Sequence, residues 1–235
     1  MARLDTAKDA RILVLEDGLR RLAEMVGNRK FKFHVEYSKL SEILQETGSL
    51  IYEVKYSYIS SKDVAELPAT KKIVDGVSQF SKLVNHAVKA TGFKPTTTKE
   101  VFTLAEASYV FRIAESFETR MKESPDDPAY AVDILAVEVS QAQPVPESKN
   151  LTECRCTDGS RIWRILTNIS GVKPKTKLAC AVLPPAEMMG IVSEAMFLGG
   201  DPLPDDTPLG TLHDPPPAAL SQARAQVLQV IKRMM

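Results

Sequence analysis

Residues 182–200 read VLPPAEMMGIVSEAMFLGG, an apolar stretch that has no helical periodicity. Pro184 and Pro185 exclude a regular strand across this point, because proline has no amide hydrogen to donate to a strand ladder. Gly190 permits a tight backbone path, and the residues after it read as a short strand. The stretch therefore predicts a strand that ends at the prolines, a tight turn, and a last strand.

The residues before this stretch alternate between apolar and polar with a period of two. The run AVDILAVEVSQ is rich in Val and Ile, and LTECRCT, RIWRILTNI and KLACAVL follow it as short strand-like runs. With GIVSEAMFL as a fifth, five short strands in about 70 residues predict a small closed barrel of the oligonucleotide/oligosaccharide-binding (OB) type. A two-sheet sandwich is the alternative, although five strands are few for one.

The first half of the chain has the periodicity of helices from residue 7 to about residue 122, which predicts a bundle of four or five helices. The segment KFKFHVEY, residues 30–37, fits either a short strand or an irregular lead into a helix. The clearest helix begins at the threonines of TTTKEVFTLAEASYVFRIAESF, which offer an N-cap. Its predicted buried face consists of Val101, Leu104, Ala105, Tyr109, Ile113 and Phe117.

Two proline-rich segments divide the chain. The segment ESPDDPAY, residues 123–130, reads as a linker, and DPLPDDTPLGTLHDPPP, residues 201–217, reads as irregular. The chain then closes with an amphipathic helix that packs on its own chain or on a partner, and its predicted face consists of Leu220, Ala223, Val227, Val230, Ile231 and Met234. The predicted fold class is α+β multidomain: a helical bundle over 1–125, a five-stranded OB-fold barrel over 131–200, and a Pro-rich tail with a C-terminal helix over 201–235.

Charge and cysteine content set limits on compartment and partners. Lys plus Arg and Asp plus Glu are both 30, so the chain lacks the basic excess typical of nucleic-acid-binding proteins. No apolar run approaches the ~20 residues of a membrane helix, and the N-terminus lacks a signal-peptide core, which indicates a cytoplasmic protein without membrane partners. Three cysteines, Cys154, Cys156 and Cys180, are typical of structural thiols and not of a disulfide framework or a zinc site.

The motifs of the common enzyme classes are missing from the sequence. It has no phosphate-binding Walker loop, no dinucleotide fingerprint, no His-Glu-x-x-His and no nucleophile elbow. The acidic pairs Asp126-Asp127 and Asp205-Asp206 lie beside prolines in predicted linkers, where solvation is the default. We therefore expect a non-catalytic protein without a cofactor.

Three short matches relate the barrel half to a known family. The main cluster consists of Leu183, Pro184, Pro185, Met188, Gly190, Ser193 and Met196. Asp133-Ile134 and the segment PESKNL, residues 146–151, are the others. In these residues the chain resembles, over residues 131–200, the tRNA-binding domain appended to methionyl-tRNA synthetases and found in the endothelial monocyte-activating polypeptide type of synthetase cofactor.

The resemblance implies an OB-fold protein that binds tRNA or associates with an aminoacyl-tRNA synthetase, and relatives with this barrel are often homodimers. The chain departs from the family at Glu187, where a basic residue is usual, at Ala195, where glycine is usual, and at Glu138, where the first strand usually has lysine. Residues 131–200 hold seven basic and seven acidic side chains. The second hypothesis is therefore a barrel that has lost RNA binding and serves protein interaction or oligomerisation.

Within the barrel, the candidate RNA-binding residues combine cations, an aromatic ring and a hydroxyl. They are Lys149, Arg155, Arg161, Trp163, Arg164, Lys173, Lys175, Lys177 and Ser193. Arg161 and Trp163 share a strand face, so the ring is either a stacking platform for a base or part of the core. Ser193 bonds either the local backbone or a phosphate. Met188 and Met196 are expected to fill the core.

Overall fold

The computed structural model of the chain describes residues 5–146 and 148–234. Glu147, in the predicted PESKNL turn, and residues 1–4 and 235 lie outside the described residues. The chain divides into two compact units: one reaches from the N-terminus to Ala131 and includes the chain from Val230 onward, and the other is Val132–Gln229. We call them the helical unit and the barrel unit.

The helical unit confirms the predicted bundle, but its described residues form seven helices and not the predicted four or five. Its elements are α1 (Ala10–Gly27), α2 (Tyr37–Gly48), α3 (Leu50–Lys55), α4 (Ser61–Glu66), α5 (Pro68–Thr91), α6 (Thr98–Glu115), α7 (Phe117–Glu123) and a 3-10 turn (Pro128–Ala131). Residues 30–36 form no strand, so the irregular lead into α2 is the correct alternative for KFKFHVEY. Gly92 ends α5 with a φ of 61°, a left-handed conformation that glycine adopts without steric cost.

Helices α2 and α5 approach each other closely at Gly76. A Cβ atom at this position would lie 2.3 Å from Cγ2 of Thr47, whose hydroxyl donates to the carbonyl of Ile43 one turn earlier. Any larger side chain would push the two helices apart, and the glycine therefore sets their spacing.

The buried face of α6 differs in part from the predicted one: Tyr109 and Ile113 are buried as predicted, and Phe117 is buried but belongs to α7. Val101, Leu104 and Ala105 are only half-buried, whereas Glu106 is buried. The buried residues of this helix are Thr103, Glu106, Ala107, Tyr109, Val110, Ile113 and Ala114. Glu106 can be buried on this face because its carboxylate accepts a hydrogen bond of 2.7 Å from Arg21 of α1, and a buried carboxylate requires such a partner.

The N-terminus of α6 is a capping box, as its threonines predicted. Thr97 Oγ1 accepts from the backbone N–H of Glu100, and the Glu100 carboxylate accepts in return from the N–H of Thr97 at 3.0 Å. We expect Thr97→Ala to lower the free energy of unfolding by about 1 kcal/mol, because one helix donor loses its acceptor. Urea unfolding followed by far-UV circular dichroism measures the change, and Thr97→Ser is the control that keeps the cap. An equal loss in both variants would contradict the role of the hydroxyl.

The barrel unit is a nearly closed antiparallel sheet, in agreement with the predicted OB-type barrel. Its strands are β1 (Ile134–Pro144), β2 (Thr152–Thr157), β3 (Ile162–Thr167), β4 (Lys177–Ala181), β5 (Ala186–Met188), β6 (Ile191–Ser193), β7 (Met196–Phe197) and β8 (Gly210–Thr211). The order is β3-β2-β1-β4-β7, β8 also pairs with β1, and β5 and β6 form a separate hairpin. Two hydrogen bonds of 2.9 Å bring β3 back to the segment after β6: the Leu166 N–H donates to Ser193 Oγ, and the Glu194 N–H donates to the Arg164 carbonyl.

Two strand predictions need correction. The predicted fifth strand over GIVSEAMFL is divided, because β6 pairs with β5 whereas β7 pairs with β4. The proline-rich tail was expected to be irregular, but Gly210–Thr211 pairs with Leu135 and Ala136 of β1 as β8. A two-residue strand is too short to show alternation, so periodicity could not reveal it.

The C-terminal helix α8 spans Pro217–Met234. Its buried residues, Ala219, Ala223, Val227 and Ile231, recur every four positions and define one face. The predicted face contained three of them, and the helix packs on its own chain, the first of the two expected alternatives. Leu220 and Val230, also predicted for that face, are half-buried.

Candidate nucleic-acid interface

The outer surface of strands β2 and β3 carries two of the candidate arginines side by side. Arg155 of β2 lies opposite Arg164 of β3 and opposite Gln141 of β1. The neighbouring residues along each strand, such as Cys156 and Trp163, point to the barrel core, since strand side chains alternate between faces. The structure therefore brings Arg155 and Arg164 together on a solvated face.

Two acidic residues neutralise part of this surface. Arg164 Nε donates to Glu153 Oε1 at 2.5 Å. Glu194 receives the guanidinium of Arg161 on one carboxylate oxygen and the backbone N–H of Arg164 on the other. Arg155 is exposed. Among these three arginines, Arg155 is thus the one best placed to meet a phosphate without first leaving an ion pair.

Trp163 belongs to the core, the second of the two alternatives that the sequence left open. Its ring is only 2% exposed, and its Nε1–H donates to Asp158 Oδ2 at 2.8 Å. The Arg161 guanidinium carbon lies 4.0 Å from the ring centroid. A base has no open face of this ring to stack on, so the cation–π contact with Arg161 is an internal one.

Asp158 organises the β2–β3 turn beneath Trp163. One carboxylate oxygen accepts from the N–H groups of Ser160 and Arg161 at 2.8 and 2.9 Å and from the Ser160 hydroxyl at 2.7 Å. Burial alone would raise the pKa of this carboxyl, but the hydrogen bonds from Arg161, Ser160 and Trp163 outweigh it and lower the pKa to about 2. Asp158 is not one of the predicted site residues, although an Asp before Gly-Ser between two strands is a turn signal.

The loop between β3 and β4 presents Lys173 and Lys175 to solvent. It is held against β1, because the Lys175 N–H donates to the Val139 carbonyl at 2.7 Å and the Val139 N–H donates to the Thr176 carbonyl at 2.9 Å. These bonds lie at the irregularity of β1 between Val139 and Gln141. A loop fixed in this way holds the backbone of both exposed lysines in place.

Lys177 is engaged in the fold. Its Nζ donates to the backbone carbonyls of Asp205 and Thr207 at 2.5 and 2.7 Å, and its own carbonyl accepts from the Leu203 N–H. It therefore fastens the proline-rich tail to the start of β4. Lys149 is exposed on the β1–β2 loop.

Ser193, Met188 and Met196 differ in how deeply they are buried. Ser193 is buried, and its hydroxyl donates to the Ala195 carbonyl and accepts from the Leu166 N–H, both at 2.9 Å. It bonds the backbone locally, the first of its two expected roles. Met196 is half-buried, but Met188 is 46% exposed in the β5–β6 hairpin, so its prediction as a core residue was wrong. The hairpin has its own strand ladder, and its tip, with Met189 and Gly190 at positive φ, is solvated.

All three cysteines are buried, and Cys154 and Cys156 are free thiols. Burial raises the pKa of Cys154 to about 11 and that of Cys156 to about 12, which makes both thiols poor nucleophiles. Within residues 5–146 and 148–234, no group of three or more His, Cys, Asp or Glu side chains could hold a metal ion.

Comparison with known families identifies both halves. Residues 1–123, more than half of the 235, match the family described as alpha helical domain. The chain belongs to this family. Residues 134–220 match the family described as putative tRNA binding domain, which confirms the resemblance and extends it past residue 200 to include β8. Both matched domains are non-catalytic in kind, and no curated protein was found to match the chain. No helix in the described part of the chain is long and apolar enough to cross a membrane.

Proposed function

We propose that this protein binds tRNA through the backbone phosphates and has no catalytic activity. The observation that carries the proposal is the match of residues 134–220 to a putative tRNA binding domain. Arg155, Lys173 and Lys175 are the contact residues that we favour, because they are exposed while Lys177 bonds the tail. Phosphate neutralisation supplies most of the affinity in such complexes.

The compartment, the protein partner and the oligomeric state are also part of what we propose. We infer a cytoplasmic protein that associates with an aminoacyl-tRNA synthetase and forms a homo-oligomer, as the resemblance of the barrel implies. The ion pairs of Arg161 with Glu194 and of Arg164 with Glu153 predict weak binding by the barrel, since each pair must open before its arginine contacts a phosphate.

A salt titration of tRNA binding tests the proposal. The variant Arg155→Gln/Lys173→Gln/Lys175→Gln is expected to make the slope of log K against log salt shallower by about 2 to 3, because each lost phosphate contact removes about 0.7 to 0.9. Fluorescence anisotropy with labelled tRNA measures the slope. The control is Lys62→Gln/Lys72→Gln/Lys82→Gln, which removes the same charge from exposed positions of α4 and α5. Equal slopes for the barrel variant and the wild type would contradict this contact surface.

The second candidate is a protein-interaction or oligomerisation barrel that has lost RNA binding. The exposed Met188 and Met189 at the tip of the β5–β6 hairpin favour it, since exposed methionines suit adaptable apolar contacts. A salt-independent homodimer that retains no tRNA at low salt would support this candidate over the first.

A further inference from the structure

Two loops of the helical unit concentrate positive charge. Residues 28–35 lie between α1 and α2, where Glu36 follows them, and residues 92–99 span the connection from α5 to α6 and the start of α6. Together they contain no Asp or Glu, and their basic residues are Arg29, Lys30, Lys32, Lys94 and Lys99. We call these two segments the basic loop pair. Since the whole chain has no net charge, this local excess does not reflect a basic composition.

The two loops meet through aromatic rings. The centroids of Phe33 and Phe93 lie 5.0 Å apart, and both rings line one shallow depression together with Lys30 and Lys32. Phe31 and Val35 are buried, so the residues that alternate with the apolar positions, Lys32 among them, lie on the solvent side. The contact between the rings therefore places the two basic loops next to each other, with Lys30 and Lys32 at the depression.

Three carboxylates lie beside the basic loop pair: Glu36, which follows residue 35 and pairs with Lys39 at 2.8 Å, Glu100, which lines the depression, and Glu106. The Glu100 carboxylate accepts from the backbone N–H groups of Thr96 and Thr97 at 2.8 and 3.0 Å. Glu106 is buried against Arg21 at 2.7 Å, with Lys30 Nζ at 3.9 Å. Lys32, Lys94 and Lys99 are exposed. Because the basic loop pair carries five cations, an excess of positive charge remains despite these three carboxylates.

We propose that the basic loop pair is a second RNA-backbone site, located in the helical unit. Lysines on flexible stems act as point charges, which suits phosphates spaced along a strand. RNA is the polyanion that we favour, because residues 134–220 of the same chain match a putative tRNA binding domain. Two weak sites on one chain raise the overall affinity by effective concentration. The proposed site places RNA contact in the helical unit, to which the proposed function gives no role.

The test compares three variants of the full chain in the tRNA salt titration. The patch variant is Lys32→Gln/Lys94→Gln/Lys99→Gln, the control is Lys62→Gln/Lys72→Gln/Lys82→Gln, and the third is the barrel variant defined above. The patch variant is expected to bind at least about tenfold more weakly at low salt and to lose about 2 to 3 from the log–log slope, whereas the control stays near the wild type. Ultraviolet crosslinks from tRNA should fall in peptides containing residues 28–35 or 92–99.

Each other outcome has a defined meaning. If only the barrel variant weakens binding, the site in the helical unit is overturned and the proposed function stands. If only the patch variant weakens it, the site stands and RNA contact by the barrel is overturned. Equal losses in the patch variant and the control, or displacement of tRNA by polyglutamate at the same charge concentration, would overturn the assignment to RNA. No binding by the wild type at low salt would overturn both proposals.

Discussion

Replacement of Arg11 by methionine is expected to lower the free energy of unfolding of the helical unit by about 3 to 5 kcal/mol. The Arg11 side chain is 1% exposed and forms a two-point ion pair with Asp9 at 2.5 and 3.0 Å. The remaining guanidinium hydrogens reach the carbonyl oxygens of Arg120 and Ser124 and the hydroxyl of Ser61. One side chain therefore joins the start of α1 to the start of α4 and the end of α7.

The expected loss of stability is large because methionine replaces the volume of the Arg11 side chain but neither its charge nor its hydrogen-bond donors. Asp9 would remain as a buried carboxylate without its cation, and the carbonyl groups at the end of α7 would lose a donor. Asp9 must keep its oxygen, since it also caps α1 by accepting the Arg11 backbone N–H at 2.9 Å. We therefore expect Asp9→Asn/Arg11→Met to be more stable than Arg11→Met alone, because the cap survives while the uncompensated charge disappears.

Urea unfolding followed by far-UV circular dichroism measures these changes. The matched control is Arg20→Met on the same helix, whose side chain is 55% exposed and bonds Asp17 and Glu24. Asp17 keeps Arg21 as a partner at 2.6 Å, so the control is expected to cost less than about 1 kcal/mol. Similar losses at both positions would show that burial of the Arg11 pair has no special weight.

The features that the sequence predicted well are those that repeat along the chain. Helices in the first half and strands in the second follow from local periodicity, and Gly92 and the threonines before α6 mark helix ends through backbone chemistry. Glu106 could not be foreseen as buried, because its partner Arg21 lies 85 residues away in the chain. Asp9 is close to Arg11 in sequence, but the carbonyl of Arg120, which also accepts from the buried guanidinium, lies 109 residues away. A single charged residue in a helical pattern reads as solvated until its partner is known.

The candidate site was predictable to a similar degree. Lys173 and Lys175 lie on an exposed loop, as a run of lysines around a proline suggests. Trp163, in contrast, bonds Asp158 of the neighbouring turn. Lys177 bonds a carbonyl of the proline-rich tail, about 30 residues further along the chain. Residue type alone cannot distinguish a cation that meets solvent from one that satisfies a backbone carbonyl, because both need the same side chain.

Asp158→Asn is expected to destabilise the barrel unit by about 2 kcal/mol at neutral pH, and the loss should shrink in acid. The carboxyl group is 6% exposed in the fold, and its pKa falls from 3.8 to about 2 because four donors bond the ionised form. The unfolded state therefore binds its proton at a higher pH than the folded state does. The stabilisation is fully present above about pH 4 and disappears as the pH falls through about 2.

Trp163 gives this prediction a direct measurement. It is the single tryptophan of the chain and its Nε1–H bonds Asp158, so intrinsic fluorescence reports unfolding of the barrel unit. Urea midpoints of wild type and Asp158→Asn should differ most at pH 7 and converge between pH 4 and pH 2, since asparagine has no proton to bind. Asp206→Asn, at an exposed position of the tail, is the control that should leave the midpoint unchanged. A difference that stays constant over this pH range would mean that Asp158 stabilises the turn by its shape and not by its charge.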